Sequence, residues 1–435
     1  MGKKPGVILQ IALDFVDLDR ALKVAGEAAS AGADWLEAGT PLIKSEGLNA
    51  VRALRRNFPG KTIVADMKIM DAGRIEVECA AKAGADIIDV LGAASDATII
   101  ECVKAAANYG ARVVVDTIGV KNPAERAVQA EKMGADIIAV HAAIDEQMRA
   151  ADVFSDLKKT AAAVGIPVAA AGGINSENAP DAVRAGASVI IVGGAATKSS
   201  DVGKAVEEIL QAIKTGKGIQ TSLYKRAGES GIREVFKQVS TANLTDAMHR
   251  QGVLRGIRQI APGAGKMAGR AVTVRTYPGD WSKPVQAIDA AGPGDVIVID
   301  AGGIDTAVWG GLATRSAVNR KLSGVVIDGA VRDTREIREL GFAAYARFVN
   351  PAAGEPRGHG EIGVPVSISG VRVFPGDWIA GDEDGVCVIP RSDVIETANR
   401  AMDVLERENR ISREIEEGGT LSGVAHLLKW EKKGG

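Results

Sequence analysis

No stretch of this 435-residue sequence approaches the roughly 18 consecutive apolar residues that a membrane-spanning helix needs. Nor is there a long run of one charge sign, and the formal net charge is only −2. A nucleic-acid backbone is therefore a poor main partner, and small molecules are the expected ones. Cysteine is scarce as well. Cys79, Cys102 and Cys387 lie far apart in apolar or helical stretches and match no zinc or disulfide spacing. The opening "MGKKPGVILQIALDF" carries two lysines but turns acidic at Asp14 after a short apolar run, which reads as a strand and not as a signal peptide. These absences lead to the expectation of a cytoplasmic protein in a reducing compartment, without a membrane partner.

What is present is apolar sequence and glycine: 46% hydrophobic residues and 52 glycines in a chain long enough for two domains. Four similar phrases organise the first half: "AGADWLEA" (31–38), "AGADIIDV" (83–90), "MGADIIAV" (133–140) and "AGASVIIV" (185–192). Their glycines, Gly32, Gly84, Gly134 and Gly186, are 52, 50 and 52 residues apart, the length of a unit with two strands and two helices. Between them lie "VILQIALD" (7–14), "KTIVAD" (61–66), "ARVVVD" (111–116) and "PVAAAGG" (167–173). All eight runs lack polar alternation, as strands do when both faces are buried in a parallel sheet. Amphipathic stretches such as "DLDRALKVAGEAASAG" and "NPAERAVQAEKMG" alternate with them. The pattern predicts an α/β fold, a closed (β/α)8 TIM barrel over residues 1–213, with a doubly wound open sheet as the alternative.

A barrel of this kind carries its active site at the carboxyl ends of its strands. Those ends read Asp14, Glu37, Asp66, Asp89, Asp116, His141, Gly172–Gly173 and Gly193–Gly194. In "VADMKIMDAG" (64–73), Asp66 and Lys68 leave the third strand two residues apart, and Asp71 follows on the loop. A lysine between carboxylates stays charged, suited to a developing enolate oxygen or to proton movement. A surface salt-bridge cluster is the bland alternative. Glu37 and Asp66 form a pair of acids of the kind that holds magnesium. His141, the one histidine of this half, is a candidate for acid/base or substrate-orienting work. The glycine pairs let backbone N–H groups approach a phosphate, for which the loops after strands seven and eight are the usual place.

The segments "ALDF", "EAGTPLI", "ADMKIMDAG", "VHAAIDEQ" and "AAGGI" resemble those of hexulose-6-phosphate synthases in the orotidine-monophosphate-decarboxylase superfamily. The resemblance covers about residues 5–213, and D-x-K-x-x-D at 66–71 is its most specific part. It implies a lyase, an aldolase joining formaldehyde to ribulose 5-phosphate with Mg²⁺ (or Mn²⁺), in the ribulose monophosphate pathway or pentose phosphate synthesis. Glu37 and Asp66 would hold the metal, Lys68 and Asp14 would organise charge and protons, and His141 would serve proton transfer. Gly172, Gly173, Gly193 and Gly194 would bind the phosphate. Asp71 would reach into the neighbouring subunit of a dimer. The related 3-keto-L-gulonate-6-phosphate decarboxylases share most of these residues and remain the alternative.

Residues 214–231, "KTGKGIQTSLYKRAGESG", read as a linker, and 232–435 as a separate α/β domain with a mixed sheet. Its sharpest stretch has twenty residues between Gly311 and Arg332-Asp333 and two more between Asp333 and Glu336. An arginine beside an aspartate at a strand end can grip a carboxylate while the acid holds a divalent metal; an exposed ion pair is the alternative. The spacing, with "AGPGDVIVIDAGG" and "PGDWIAGDEDGVCVIP", resembles class II aldolases acting on 4-hydroxy-4-methyl-2-oxoglutarate and the regulators of ribonuclease activity that share their fold. That resemblance implies metal at Asp333 with Glu336 in support through water, substrate at Arg332, backbone N–H groups from Leu312 and Ala313, and a trimer or hexamer of this domain. The chain as a whole reads as a multifunctional, homo-oligomeric enzyme, with a ribonuclease-binding regulator as the other reading of its second half.

Overall fold

Eight parallel strands close on themselves in sequence order: β1 (Ile8–Leu13), β2 (Trp35–Ala38), β3 (Thr62–Ile69), β4 (Ile87–Leu91), β5 (Arg112–Asp116), β6 (Ile137–His141), β7 (Val168–Ala171) and β8 (Val189–Val192). β8 returns to β1 through Ile8 beside Val189 and Ile11 beside Val192. The barrel expected from the fourfold repeat is thus the fold, and the open sheet is excluded. This computed structural model describes residues 6–148, 153–221 and 224–425.

The lack of alternation has a direct cause. One set of strand side chains, including Trp35, Val64, Ile87, Val114, Ile137, Ala169 and Val189, fills the interior. The intervening set, including Leu9, Ile11, Leu36, Ile63, Ile88 and Ile138, packs outward under the helices. Both faces of each strand are therefore dry.

The repeated phrase also has a mechanical reading. Its glycine follows a helix with φ between 96° and 110° at Gly32, Gly84, Gly134 and Gly186, where a side chain would be strained. The aspartate two residues later accepts the N–H at the base of the preceding strand: Asp34 from Leu9 (2.8 Å), Asp86 from Ile63 (2.7 Å) and Asp136 from Val113 (2.8 Å). In the fourth copy Ser188 stands in that place and donates to the Val168 carbonyl at 3.3 Å. The repeat stitches the bottom of the barrel and leaves the top to chemistry.

β3 runs on to Ile69, past the end expected at Asp66, with a bulge against β4 between Ala65 and Ile69. The second unit carries the expected mixed sheet. Its parallel centre is Met267–Thr276, Val296–Asp300, Gly324–Val331 and Ala344–Val349, flanked by the antiparallel Trp378–Asp382 and Gly385–Ile389.

The chain divides differently from the expected 232–435 boundary. Residues up to 226 together with those from 406 onward form one unit, and 227–405 the other. The physical reason lies in the helix Val394–Glu416: its last turns carry charges whose partners are on the barrel, such as Glu414 to Arg20 at 3.2 Å. Among the described residues no helix is long and apolar enough to cross a membrane.

Candidate active site at the barrel mouth

A line of charged groups crosses the carboxyl ends of β3, β5 and β6. Lys68 Nζ lies 3.1 Å from Asp66 Oδ1 and 3.3 Å from Asp116 Oδ2. Asp116 Oδ2 is 2.9 Å from His141 Nδ1. Lys68 adopts φ 45°, uncommon for a residue with a Cβ, at the bulge where β3 leaves regular pairing. The two ion pairs hold it there. Burial would lower the Lys68 pKa, but Asp89, Asp66 and Asp116 together push it well above the ordinary lysine range. It remains an ammonium at any working pH.

The other oxygen of Asp66 accepts from the Thr40 hydroxyl at 2.8 Å and the Thr40 N–H at 3.3 Å. Glu37 is buried and takes a 2.5 Å hydrogen bond from Gln10 Nε2. Burial, then Asp66 and Asp14, push its carboxyl well above the usual range. Asp89 is raised for the same reasons, burial first and then Asp66 and Asp116, and its Oδ1 has no hydrogen-bond partner. Asp116 behaves oppositely: burial would raise it, but His141 and then Lys68 bring it below the ordinary value. Asp14 opens to solvent at the mouth while protein surrounds its flanks, and that partial desolvation, followed by Asp66, raises its carboxyl against the pull of Lys68, His141 and Lys198. A Cβ at Gly39 would collide with this carboxylate, so glycine there makes room for Asp14.

The glycine pairs lie around the same rim. Gly172 and Gly173 have φ of 100° and 68°, and a Cβ on Gly172 would come within 2.6 Å of the Ala142 carbonyl. Gly193 caps the short helix Gly194–Thr197, and the Lys198 side chain passes about 3.5 Å from where a Cβ on Gly194 would be. Together these place exposed backbone and a lysine on the β7 and β8 side, opposite the acids of β2 to β4.

Of the residues singled out in the sequence, Asp14, Glu37, Asp66, Lys68, His141 and the four glycines share this mouth. Asp71 stands apart from the chain of bonds: it is exposed, accepts the Ala72 N–H at 2.7 Å, and neighbours the exposed Met70 and Ile75. Asp89 and Asp116 end strands as the sequence indicates, but the sequence does not show that Asp116 bonds to both Lys68 and His141 or that the Asp89 charge acts on Lys68. Gln10 and Thr40 were missed altogether. Gln10 carries a usable signal, being a polar residue inside an apolar strand whose side chain must find a buried partner.

The acids on one side of this mouth offer one or two carboxylates to a divalent ion, without forming a larger ligand group. Asp14, Glu37, Asp66 and Asp89 act on one another with the Lys68 charge opposing them, and the raised carboxyls of Glu37 and Asp89 are what incompletely compensated buried charge produces. Among the described residues no group of three or more Asp, Glu, His or Cys is placed so that it could hold a metal ion. Magnesium needs none, since it keeps several waters and takes one or two carboxylates.

The raised Glu37 carboxyl has a consequence for stability. The folded protein holds its proton more tightly than the unfolded chain, so stability falls as pH rises from about the ordinary value of 4.5 through the raised folded pKa. In chelated protein, Glu37→Gln is expected to raise the barrel's thermal midpoint at pH 8 by several degrees, 1 kcal/mol being about 2–4 °C for a unit of this size. Near pH 4 the difference disappears. Thermal melts at the two pH values decide it, and an equal shift at both would assign the effect to packing.

In the second unit, Asp333 Oδ2 accepts the Gly311 N–H at 3.0 Å and lies 3.6 Å from Arg332 Nε. Asp333 has φ 58°, again strained at a strand end. Glu336 pairs with Arg315 through Oε1, at 2.6 Å from Nη2 and 2.9 Å from Nε. Leu312 is exposed, and with Ala313 it lies in the first turn of the helix Gly311–Asn319, where N–H groups lack intrahelical partners. The expected group is thus together, with Arg315 as a member that spacing did not reveal.

Residues 8–209 match the family model described as orotidine 5'-phosphate decarboxylase / HUMPS family, and residues 241–388 match the one described as Aldolase/RraA. A 3-hexulose-6-phosphate synthase from Mycobacterium gastri is 40% identical over 205 residues, 47% of this chain and 99% of its own length. That of Bacillus subtilis is 37% identical over 209 residues, 48% of this chain and 99% of its own. A solved structure of the RNA-processing inhibitor RraA from Thermus thermophilis is 33% identical, covers 35% of this chain and 92% of its own, and has a TM-score of 0.33. The chain therefore belongs, through its barrel, to the orotidine 5'-phosphate decarboxylase / HUMPS family, among its 3-hexulose-6-phosphate synthases, and later in the sequence it carries an Aldolase/RraA-like domain.

Proposed function

We propose that the barrel joins formaldehyde to D-ribulose 5-phosphate, giving D-arabino-hex-3-ulose 6-phosphate, and runs the reverse cleavage. The observation that carries this reading is the Asp66–Lys68–Asp116–His141 line facing a glycine cradle, in a segment 40% identical to a synthase of that name. The sugar phosphate lies against Gly172, Gly173, Gly193 and Gly194, with Lys198 beside them. Its C1 and C2 oxygens reach the acid side. Loss of a proton from C1 develops negative charge on those oxygens, and the Lys68 ammonium already stands there to stabilise it. His141, whose Nδ1 is engaged by Asp116, has Nε2 free of that bond to take the proton and pass one to the formaldehyde oxygen. C1 then bonds to the formaldehyde carbon, and the ketone remains on the carbon that was C2. Asp14, at the open side, orients the entering aldehyde and its hydroxyl product. Glu37 and Asp66 would hold a Mg²⁺, which would supply positive charge to the ketose oxygens. A second barrel covers Met70 and Ile75 and receives Asp71 in its mouth.

The test is formaldehyde consumption with ribulose 5-phosphate, measured in both directions, after chelation and after Mg²⁺ is restored. Turnover that vanishes with chelator and returns with the ion is expected. Release of CO2 from 3-keto-L-gulonate 6-phosphate without formaldehyde consumption would overturn the aldol reading in favour of a decarboxylase.

For the second unit the proposal is an aldolase-like site on 2-oxo acids. Arg332 and the N–H groups of Leu312 and Ala313 hold the carboxylate, and Asp333, supported by Glu336, is the candidate ligand for a divalent ion.

A further inference from the structure

The helix Gly194–Thr197 is only four residues long, so its end leaves carbonyl oxygens that its own backbone cannot satisfy. Those of Thr197, Lys198, Ser199 and Ser200 point away from the helix one after another. All four find donors far away in sequence. Arg410 Nη1 donates to the Thr197 carbonyl at 3.0 Å and to that of Ser199 at 3.2 Å. The Tyr224 hydroxyl donates to Lys198 O at 3.1 Å, and Arg413 donates to Ser200 O.

Arg410 is itself held fast. It is 6% exposed, its Nε donates to Glu414 at 2.8 Å, and its guanidinium lies 6.0 Å from the centre of the Phe15 ring, which also carries Arg20 at 5.5 Å. A buried guanidinium with fixed partners is a rigid donor. The connection continues inward. Thr197 donates through its hydroxyl to the Gly193 carbonyl at 3.2 Å, and its N–H reaches the same oxygen at 3.0 Å. Lys198 follows directly, with its side chain along Gly194 and its charge acting on Asp14.

Resting on the phosphate assignment proposed above, we infer that Arg410 is a positioning residue for sugar-phosphate binding. By holding the carbonyls of Thr197 and Ser199 it fixes Gly193, Gly194 and Lys198 in the arrangement that meets the phosphate. The barrel's grip on its substrate thus depends on a helix from the far end of the chain, 213 residues beyond Thr197.

In the full chain, Arg410→Ala is expected to raise KM for ribulose 5-phosphate on the order of tenfold, equivalent to about 1.4 kcal/mol, with kcat within about twofold. The inhibition constant of inorganic phosphate, as a competitor, rises by the same factor. Arg410→Lys keeps the charge on one compact ammonium and regains part of the loss. Tyr224→Phe removes one hydroxyl without disturbing packing and shifts both constants in the same direction by less. Circular dichroism and a thermal melt accompany each variant. Unchanged KM and phosphate inhibition in folded Arg410→Ala and Tyr224→Phe, with phosphate competing normally in the parent, overturns the role of Arg410 alone. Absence of phosphate competition in the parent overturns the phosphate assignment and this inference with it.

Discussion

Lys68→Ala is expected to lower kcat by a factor on the order of 10²–10³, with a smaller change in KM. The ammonium lies between Asp66 and Asp116, at 3.1 Å and 3.3 Å, before any substrate arrives. It needs no reorganisation when negative charge develops on the ketose oxygens, so its effect falls mainly on the transition state. The same substitution carries a second signature. Lys68 offsets the charges of Asp14, Glu37, Asp89 and Asp116, and without it their folded pKa values rise. A folded state that binds more protons than the unfolded chain loses stability as pH rises. Lys68→Ala should therefore lose more thermal stability at pH 8 than at pH 5. A rise in KM with kcat intact would make Lys68 a binding residue, and a pH-independent loss of stability would deny it the charge-balancing role.

The barrel was legible because its signals are local and repeated. Apolar runs without alternation lie close to glycines that end helices, and the phrase that joins them recurs every 50 to 52 residues. The strand ends were legible for the same reason, which is why Glu37, Asp66, Lys68, His141 and the glycine pairs were in view. What sequence does not carry is distance across the mouth. Lys68 and Asp116 are 48 residues apart, and their contact depends on the bulge and the positive φ that turn Lys68 toward β5. Nothing in "ADMKIMDAG" announces that turn. The expected boundary at 232–435 shifted for a similar reason. The helix Val394–Glu416 is charged along its length, and only the structure shows that Arg410 and Glu414 find barrel partners.

Asp116→Asn is expected to cost kcat about 10³–10⁴-fold, although it preserves shape. Asp116 Oδ1 accepts the Ile118 N–H at 2.8 Å, while Oδ2 faces Lys68 at 3.3 Å and His141 Nδ1 at 2.9 Å. An asparagine keeps the first bond by placing its oxygen there. Its amide nitrogen then faces both Lys68 and the imidazole. Two donors meet where one carboxylate oxygen accepted, so Lys68 loses an anchor and Nδ1 must become the acceptor. The imidazole then carries its hydrogen on Nε2, the nitrogen assigned to take the substrate proton, and cannot act as base. His141→Asn breaks the same unit from its other end. The double variant should lose little more than the worse single one, because groups that act together are not additive. The three variants, assayed for formaldehyde release from the hexulose phosphate with their folds checked by circular dichroism, give the answer. A loss below tenfold in Asp116→Asn, or losses that multiply in the double variant, would mean that Asp116 and His141 work separately.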